Sequence, residues 1–214
     1  MVIDAILKNK LVAILRGVTP DQLIPLLEAL YEGGVRLAEI TFDAKGTIPA
    51  EETAQQIATA AKHFEGRMYI GAGTVLTVKQ AQLAIDSGAK FLISPNVDEA
   101  VIRYTKERGV ISMPGAFTPS EAVNAVNMGA DFVKIFPSDT LGPKYFKAIS
   151  APLSHIKFIA VGGVDHLNVG EFLKNGAVGV GVSSNILNKE MLKNGDYAGI
   201  TSLARLYVEA IENA

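Results

Sequence analysis

Two charged side chains lie inside segments that are otherwise apolar. Lys134 interrupts FVKIF, and Glu39 interrupts LAEITF. Charged side chains are seldom left in buried strands unless they are paired or functional. Burial lowers the pKa of a lysine amine and makes part of it a neutral nucleophile, and a nearby carboxylate can act as acid or base. Two interpretations remain open: a nucleophilic lysine with a proton-transfer partner, or a structural Glu39–Lys134 ion pair.

A second group of residues has the chemistry of an anion site. Arg16 closes LVAILRG, where it could bind a carboxylate or phosphate bidentately or form a surface salt bridge. Gly162-Gly163 and Gly181-Val182-Ser183-Ser184 follow two consecutive apolar segments. In barrel enzymes, turns at these places commonly hold phosphate on backbone N–H groups. Ordinary tight turns are the alternative interpretation.

Metal and thiol chemistry are disfavoured. The chain has no cysteine, which excludes disulfides, thiolate metal sites and cysteine nucleophiles. His63 ends a helical segment and His155 precedes an apolar one, so only His166 is expected near the candidate site. We therefore expect no metal site. Asp43, in the loop after LAEITF, could touch substrate or be solvated.

The elements that must position these residues are short. Apolar segments of four to six residues begin near positions 11, 37, 68, 91, 110, 132, 158 and 178. Continuous apolar character is typical of parallel strands buried on both faces. Segments with helical periodicity lie between them, beginning near positions 21, 50, 79, 98, 119 and 169. Glycines at 34, 88, 109, 129 and 176 precede strands, where a helix C-cap needs positive φ.

The glycine and polar punctuation favours a closed barrel over an open sheet. It directly follows the predicted strands, at Gly71-Ala72-Gly73-Thr74, Ser94-Pro95-Asn96, Pro114-Gly115, Phe136-Pro137-Ser138, Gly162-Gly163 and Ser183-Ser184. All of it then falls on the C-terminal rim, the functional face of a barrel. We predict an α/β fold in which residues 1–214 form a single (β/α)8 TIM barrel domain with a short N-terminal helix.

Composition limits the partners. The 214 residues are 49% hydrophobic and 20% charged, which excludes a disordered chain. The net charge of -2 attracts neither nucleic acid nor an anionic membrane, and no apolar run reaches the roughly 18 residues of a membrane span. We expect a cytoplasmic protein without nucleic-acid or membrane partners. The mean hydropathy of +0.25 favours an oligomer.

Together the motifs resemble a known enzyme family. They are ILRG at Ile14, EIT at Glu39, GAGTVL at Gly71, ISPN at Ile93, PGAFTPSEA at Pro114, KIFPS at Lys134, VGGV at Val161 and the serine pair at 183. In this order, over nearly the whole chain, they resemble the 2-keto-3-deoxy-6-phosphogluconate and 4-hydroxy-2-oxoglutarate aldolases. They also resemble the relatives acting on 2-keto-3-deoxy-6-phosphogalactonate.

The resemblance implies a class I aldolase without metal or cofactor, a homotrimer of barrels that cleaves a 2-keto-3-deoxy acid or 4-hydroxy-2-oxoglutarate into pyruvate and an aldehyde. Lys134 matches the lysine that forms the Schiff base, and Glu39 matches the general acid/base. Other matches line the pyruvate pocket (Thr74, Pro95, Phe136) and the phosphate end (Gly162, Gly163, Ser184, joined by Ser183).

Two positions depart from the phosphogluconate pattern. Asp43 stands where those enzymes carry an arginine facing the substrate carboxylate, and Arg16, as in phosphogalactonate-type members, could take over that duty. Val161 replaces a threonine, which removes a hydroxyl near the C4 stereocentre. The C4 preference, and whether a 6-phosphate is needed, are left open.

Two other functions compete with the aldolase. One is a different phosphate-handling barrel isomerase or synthase, with Lys134 and Glu39 transferring protons and no imine. The other is a non-catalytic barrel that binds a sugar phosphate. A buried lysine argues against the second, because a mere binder need not carry its cost.

Overall fold

The computed structural model describes residues 1–214 as alternating strands and helices. The strands are β1 Leu11–Leu15, β2 Leu37–Thr41, β3 Tyr69–Gly73, β4 Phe91–Ile93, β5 Ile111–Met113, β6 Gly115–Ala116, β7 Val133–Ile135, β8 Phe158–Val161 and β9 Ala177–Val182. The helices are α1 Val2–Asn9, α2 Pro20–Glu32, α3 Ala50–His63, α4 Val78–Asp86, α5 Glu99–Glu107, α6 Pro119–Asn127, α7 Ser138–Ser150, α8 Val169–Lys174, α9 Lys189–Lys193 and α10 Tyr197–Glu212. The eight predicted strands and the short N-terminal helix are confirmed.

The strands form one parallel sheet that curls into a barrel. Their order is β5-β4-β3-β2-β1-β9-β8-β7-β6. The two outermost strands, β5 and β6, are consecutive in the chain and are separated only by Pro114, so they are two halves of one strand. The Phe132 N–H closes the seam by donating to the Ser112 carbonyl at 3.3 Å. The predicted (β/α)8 architecture is thus confirmed, with its fifth strand broken at a proline.

Capping chemistry places the helix ends where the sequence predicts them. The Thr118 hydroxyl accepts from the Glu121 N–H, and the Glu121 carboxylate accepts from the Thr118 N–H, which is a capping box at the start of α6. The five predicted cap glycines all have φ between +70° and +108°. Each helix therefore ends just before its strand begins.

Three glycines expected to follow strands instead lie inside them. Gly71 and Gly73 belong to β3, and Gly181 belongs to β9. Gly115, expected in a turn, begins β6. The prediction failed because glycine ordinarily marks a turn, whereas here it makes room inside the barrel. The helices α7, α9 and α10 were not anticipated either.

The core has two layers. Forty-eight buried residues form the outer cluster, in which the strands pack against the surrounding helices. Eleven more form an inner cluster within the barrel. Ile6 of α1 belongs to this inner cluster, so α1 covers the N-terminal end of the barrel. No helix has the length and apolar character needed to cross a membrane.

Candidate active site

A cavity of about 420 Å³ opens at the C-terminal ends of the strands. Every site residue chosen from the sequence lines it: Arg16, Glu39, Thr74, Pro95, Lys134, Phe136, Val161, Gly162, Gly163, Ser183 and Ser184. Its wall also contains Gly181 and Val182, which precede the serine pair, and three residues that sequence reasoning missed, namely Ile14, Val164 and Asn185. Strand alternation could have found Ile14, because it lies two residues before Arg16 and shares its side of the chain.

Lys134 lies on the inner wall of the cavity. Its backbone pairs within the barrel through β7, and its side chain is only 8% exposed. The ammonium nitrogen Nζ is 4.7 Å from the centre of the Phe136 ring. Burial lowers the pKa of this amine, and Arg16 lowers it further, against an opposing effect of Glu39. A buried amine with a lowered pKa is a competent nucleophile.

Glu39, on β2, faces the same cavity from the opposite side of the barrel and is 2% exposed. Burial raises the pKa of its carboxyl to about 7, although Lys134 and Arg16 both pull it down. The Oε2 atom accepts no hydrogen bond within the protein, and the side chain forms no direct ion pair with Lys134. The two groups therefore interact electrostatically across the cavity. A carboxyl that titrates near neutrality can both donate and accept a proton there.

The in-strand glycine at position 73 creates the space that Glu39 occupies. A Cβ atom on Gly73 would overlap Glu39 Oε1. A Cβ atom on Gly181 would lie 2.9 Å from Val161 Cγ2 and 3.1 Å from Ile14 Cδ1. The cavity thus depends on missing side chains on two strands, β3 and β9.

Arg16 and Thr74 meet at the rim. The Arg16 Nη2 group donates to Thr74 Oγ1 at 3.2 Å, and no carboxylate pairs with the guanidinium. Thr74 has φ +57°, a left-handed conformation that is unfavourable for a β-branched residue. Such strain is characteristic of functional sites. Arg16 keeps most of its donors free for an anion.

The loops after β8 and β9 present backbone donors to the same cavity. Gly162 and Gly163 have φ +100° and +68°, and a Cβ on Gly163 would overlap the Asp139 side chain. The N–H groups of Gly162, Gly163 and Ser184 donate no hydrogen bond within the protein. Unpaired N–H groups that converge on a cavity are suited to a phosphate.

Asp43 has a structural role in its loop. Its carboxylate accepts from the backbone N–H groups of Lys45 at 3.0 Å and Ile48 at 3.1 Å, and from both the N–H and the hydroxyl of Thr47. These bonds hold the pKa of Asp43 down to about 2. Asp43 does not line the cavity. The loop after β2 is thus organised around an acid where the resembled enzymes carry a substrate-facing arginine.

The histidines are engaged elsewhere. His63 Nε2 lies 2.7 Å from Glu28 Oε1 on the outer surface, and the His166 ring packs against Tyr207 with centroids 5.6 Å apart. No group of three or more histidine, aspartate or glutamate side chains is arranged to share a metal ion.

Comparisons with known proteins identify the family of the chain. A family model described as "Aldolase: KDPG and KHG aldolase" matches residues 2–203. The chain is 37% identical over 186 residues to a probable 2-dehydro-3-deoxy-6-phosphogalactonate aldolase of Rhizobium meliloti, covering 86% of this chain and 85% of that one. It is 33% identical over 206 residues to the 2-dehydro-3-deoxy-6-phosphogalactonate aldolase of Escherichia coli, covering 96% and 98%.

A solved structure extends the comparison to the chemistry of a relative. The KDPG aldolase of Legionella pneumophila, with pyruvate captured as a covalent carbinolamine intermediate, superposes with a TM-score of 0.82. It is 28% identical and covers 92% of this chain and 93% of its own. On the family match and the two curated relatives, this chain belongs to the KDPG and KHG aldolase family.

Proposed function

We propose that this protein is a class I aldolase that cleaves a 2-keto-3-deoxy-6-phospho sugar acid into pyruvate and glyceraldehyde 3-phosphate. The same chemistry on 4-hydroxy-2-oxoglutarate would release glyoxylate. The observation that carries the proposal is that a buried amine, Lys134, and a carboxyl of pKa about 7, Glu39, line one cavity. The membership of the chain in an aldolase family indicates which reaction Lys134 and Glu39 would carry out.

In the first step, neutral Lys134 Nζ attacks the C2 carbonyl of the substrate. The resulting carbinolamine loses water and becomes a protonated imine. Burial favours this sequence because it keeps part of the amine unprotonated at neutral pH. Phe136 and Pro95 line the cavity where the methylene and carboxylate carbons of the pyruvyl unit would lie.

In the second step, the C3–C4 bond breaks and its electron pair moves into the imine to form an enamine. Glu39 takes the proton of the C4 hydroxyl as C4 becomes the aldehyde. The enamine then regains a proton at C3, and water hydrolyses the imine to release pyruvate and restore the amine of Lys134. One carboxyl group serves for both proton transfers because its pKa lies near neutrality.

The rim binds the two charged ends of the substrate. Arg16, whose guanidinium has no carboxylate partner, would pair with the C1 carboxylate in place of the arginine that the loop of Asp43 lacks. The free N–H groups of Gly162, Gly163 and Ser184 would bind the 6-phosphate, with the Ser183 side chain beside them. Positive φ at both glycines keeps these N–H groups turned toward the cavity.

We propose a preference for the galactonate configuration at C4. Two curated relatives named as phosphogalactonate aldolases support it, and so does Val161, whose apolar side chain lines the cavity. In pyruvate-release assays on both C4 epimers, Val161→Thr should shift the ratio of kcat/KM values toward the gluconate epimer by about 10-fold, the scale of one pocket contact. An unchanged ratio would show that Val161 does not determine the C4 preference.

We further propose that the chain is one domain and assembles as a homotrimer in the cytoplasm. Exposed apolar side chains, including Phe117 and Leu206, are consistent with a subunit interface. Sedimentation equilibrium should return three times the chain mass of 22.7 kDa. A monomer at micromolar concentration would contradict the trimer without affecting the aldolase proposal.

Borohydride trapping tests the reaction type. Incubation with pyruvate and sodium borohydride should add a reduced pyruvyl group to the peptide that contains Lys134, as measured by mass spectrometry. Lys157, which is also close to an aromatic ring but on the outside of the barrel, is an internal control and should remain unmodified. Absence of the adduct at Lys134 would disprove the imine mechanism.

A further inference from the structure

A second cavity adjoins the candidate active site on its rim. It has a volume of about 540 Å³ and shares Arg16, Ser183 and Ser184 with the catalytic cavity. Its outer wall is formed by α9, through Lys189 and Lys193. The two serines assigned to the phosphate end, together with Arg16, thus form the boundary between two adjoining cavities.

The charged side chains that line the second cavity are all basic. Its charged lining consists of Arg16, Lys189 and Lys193, and no carboxylate lines it. None of the three cations forms an ion pair, and neither lysine donates a hydrogen bond to the protein. The Ser184 hydroxyl, at the boundary, has no partner either, whereas the Ser183 hydroxyl is occupied by the Ile14 carbonyl at 3.2 Å.

The two lysines are placed on one face of α9. They are four residues apart, and residues at this spacing are neighbours on a helix surface. Like charges at this spacing weakly destabilise a helix. The helix is held instead by its N-cap, where the Asn188 side chain accepts from the Glu190 and Met191 N–H groups at 3.0 and 3.1 Å. Two unpaired lysines thus face a concave surface at a cost to the helix that carries them.

We propose that Lys189 and Lys193 select substrates whose distal end carries a phosphate, by holding its charge from the second cavity while backbone N–H groups hold it from the first. This inference rests on the proposed function. Both lysines are exposed, so their attraction acts through partly hydrated contacts and is screened by salt. The phosphate is the anionic group at the substrate end that reaches this boundary.

The test compares two substrates in one protein. Steady-state pyruvate release is measured for a 2-keto-3-deoxy-6-phospho acid and for its unphosphorylated counterpart, with wild type and with the double variant Lys189→Gln/Lys193→Gln. We expect the variant to raise the KM of the phosphorylated substrate about fivefold more than that of the unphosphorylated one, as loss of two charge-assisted contacts predicts. The difference between the two KM changes should shrink at about 0.5 M NaCl, because salt screens the attraction between the exposed lysines and the phosphate.

The matched control removes two charges elsewhere. Lys147 and Lys174 are exposed, form no ion pair and lie in the last turns of α7 and α8, at the opposite end of the barrel. Lys147→Gln/Lys174→Gln should leave the ratio of the two KM values at the wild-type figure. Equal shifts in both double variants would assign the effect to net charge and overturn the proposal.

The outcomes separate this inference from the proposed function. If wild type releases no pyruvate from either substrate, the aldolase proposal fails. If wild type is active and the Lys189→Gln/Lys193→Gln variant keeps the wild-type ratio of KM values, the aldolase stands and the selection by these lysines is overturned. Circular dichroism melting curves that match wild type would show that the variant is folded.

Discussion

The inner wall and the rim of the cavity use opposite means to handle charge. The wall carries Lys134 and Glu39 on strands, 8% and 2% exposed, where burial shifts both pKa values toward neutrality. The rim carries Arg16 and free backbone N–H groups on turns, where charge stays hydrated. In the proposed mechanism, imine formation and proton transfer thus take place in the buried region, and anion binding takes place in the hydrated one.

Removing the amine of the wall should have the largest effect. Lys134→Met keeps the length of the side chain but cannot form an imine, so kcat for pyruvate release should fall by about 10³-fold or more. Lys134→Arg should be equally inactive, because a guanidinium is not a nucleophile near neutral pH. Residual activity within 10-fold of wild type in either variant would contradict the proposed difference between wall and rim, because Lys134 would then not form the imine.

The pH dependence of stability tests the burial of Glu39. Its pKa is raised from 4.5 to about 7 in the folded protein, so the stability that it contributes is full below about pH 4.5 and is lost as the pH rises through about 7. The amide side chain of the Glu39→Gln variant cannot ionise. Between pH 4.5 and pH 8, the free energy of unfolding of this variant should therefore fall by about 2 to 3 kcal/mol less than that of wild type. Urea titrations at the two pH values measure this.

The control for that titration is an exposed acid. Glu107 lies at the end of α5 and forms no ion pair, so Glu107→Gln should follow the wild-type pH dependence. If Glu39→Gln does so as well, the carboxyl is hydrated and the wall is not dry.

Gly73→Ala should act on the wall without replacing a charged residue. Its Cβ would displace the Glu39 carboxylate, and a misplaced proton-transfer group should lower kcat by about 10- to 100-fold. Gly170→Ala in α8 is the control, because its Cβ would meet only Ala214 Cβ, at 3.6 Å. Unchanged kcat in a folded Gly73→Ala protein would show that Glu39 tolerates the shift.

A substitution on the rim should have the smallest effect and a different kinetic signature. Ser184→Ala removes a hydroxyl at the phosphate end but keeps the backbone N–H group. We expect KM for a phosphorylated substrate to rise by about 3- to 10-fold, the value of one hydrogen bond that is partly replaced by water, with kcat within about twofold of wild type. A fall in kcat with unchanged KM would erase the distinction between wall and rim.

The wall and the rim also differ in how far the sequence predicts them. Lys134 and Glu39 stand out because each breaks an apolar strand, and strand alternation then turns Lys134 inward. The glycine pair and serine pair are found because they follow strands. Gly73 and Gly181 were misplaced, since only the three-dimensional contact shows that their missing side chains make room for Glu39 and Val161.

Longer-range features were harder to predict. Asp43 is an acid in an exposed loop, and its hydrogen bonds from the backbone N–H groups of Lys45, Thr47 and Ile48 depend on a turn that the sequence does not specify. The lysines of α9 lie in a five-residue helix, too short for a periodic signal. The break of the fifth strand at Pro114 is visible only when both of its halves find their neighbours in the barrel.

The position of α1 and the proposed covalent bond to pyruvate together imply an order in which the products leave. Because α1 covers the N-terminal end of the barrel and Ile6 packs among the inner residues, the cavity is a well with one mouth. In the proposed mechanism, the pyruvyl unit is bound covalently to Lys134 in the buried part of the cavity, and the aldehyde lies toward the solvent. Departure is therefore ordered, aldehyde first and pyruvate last, so that pyruvate is the product that competes with incoming substrate for the free enzyme.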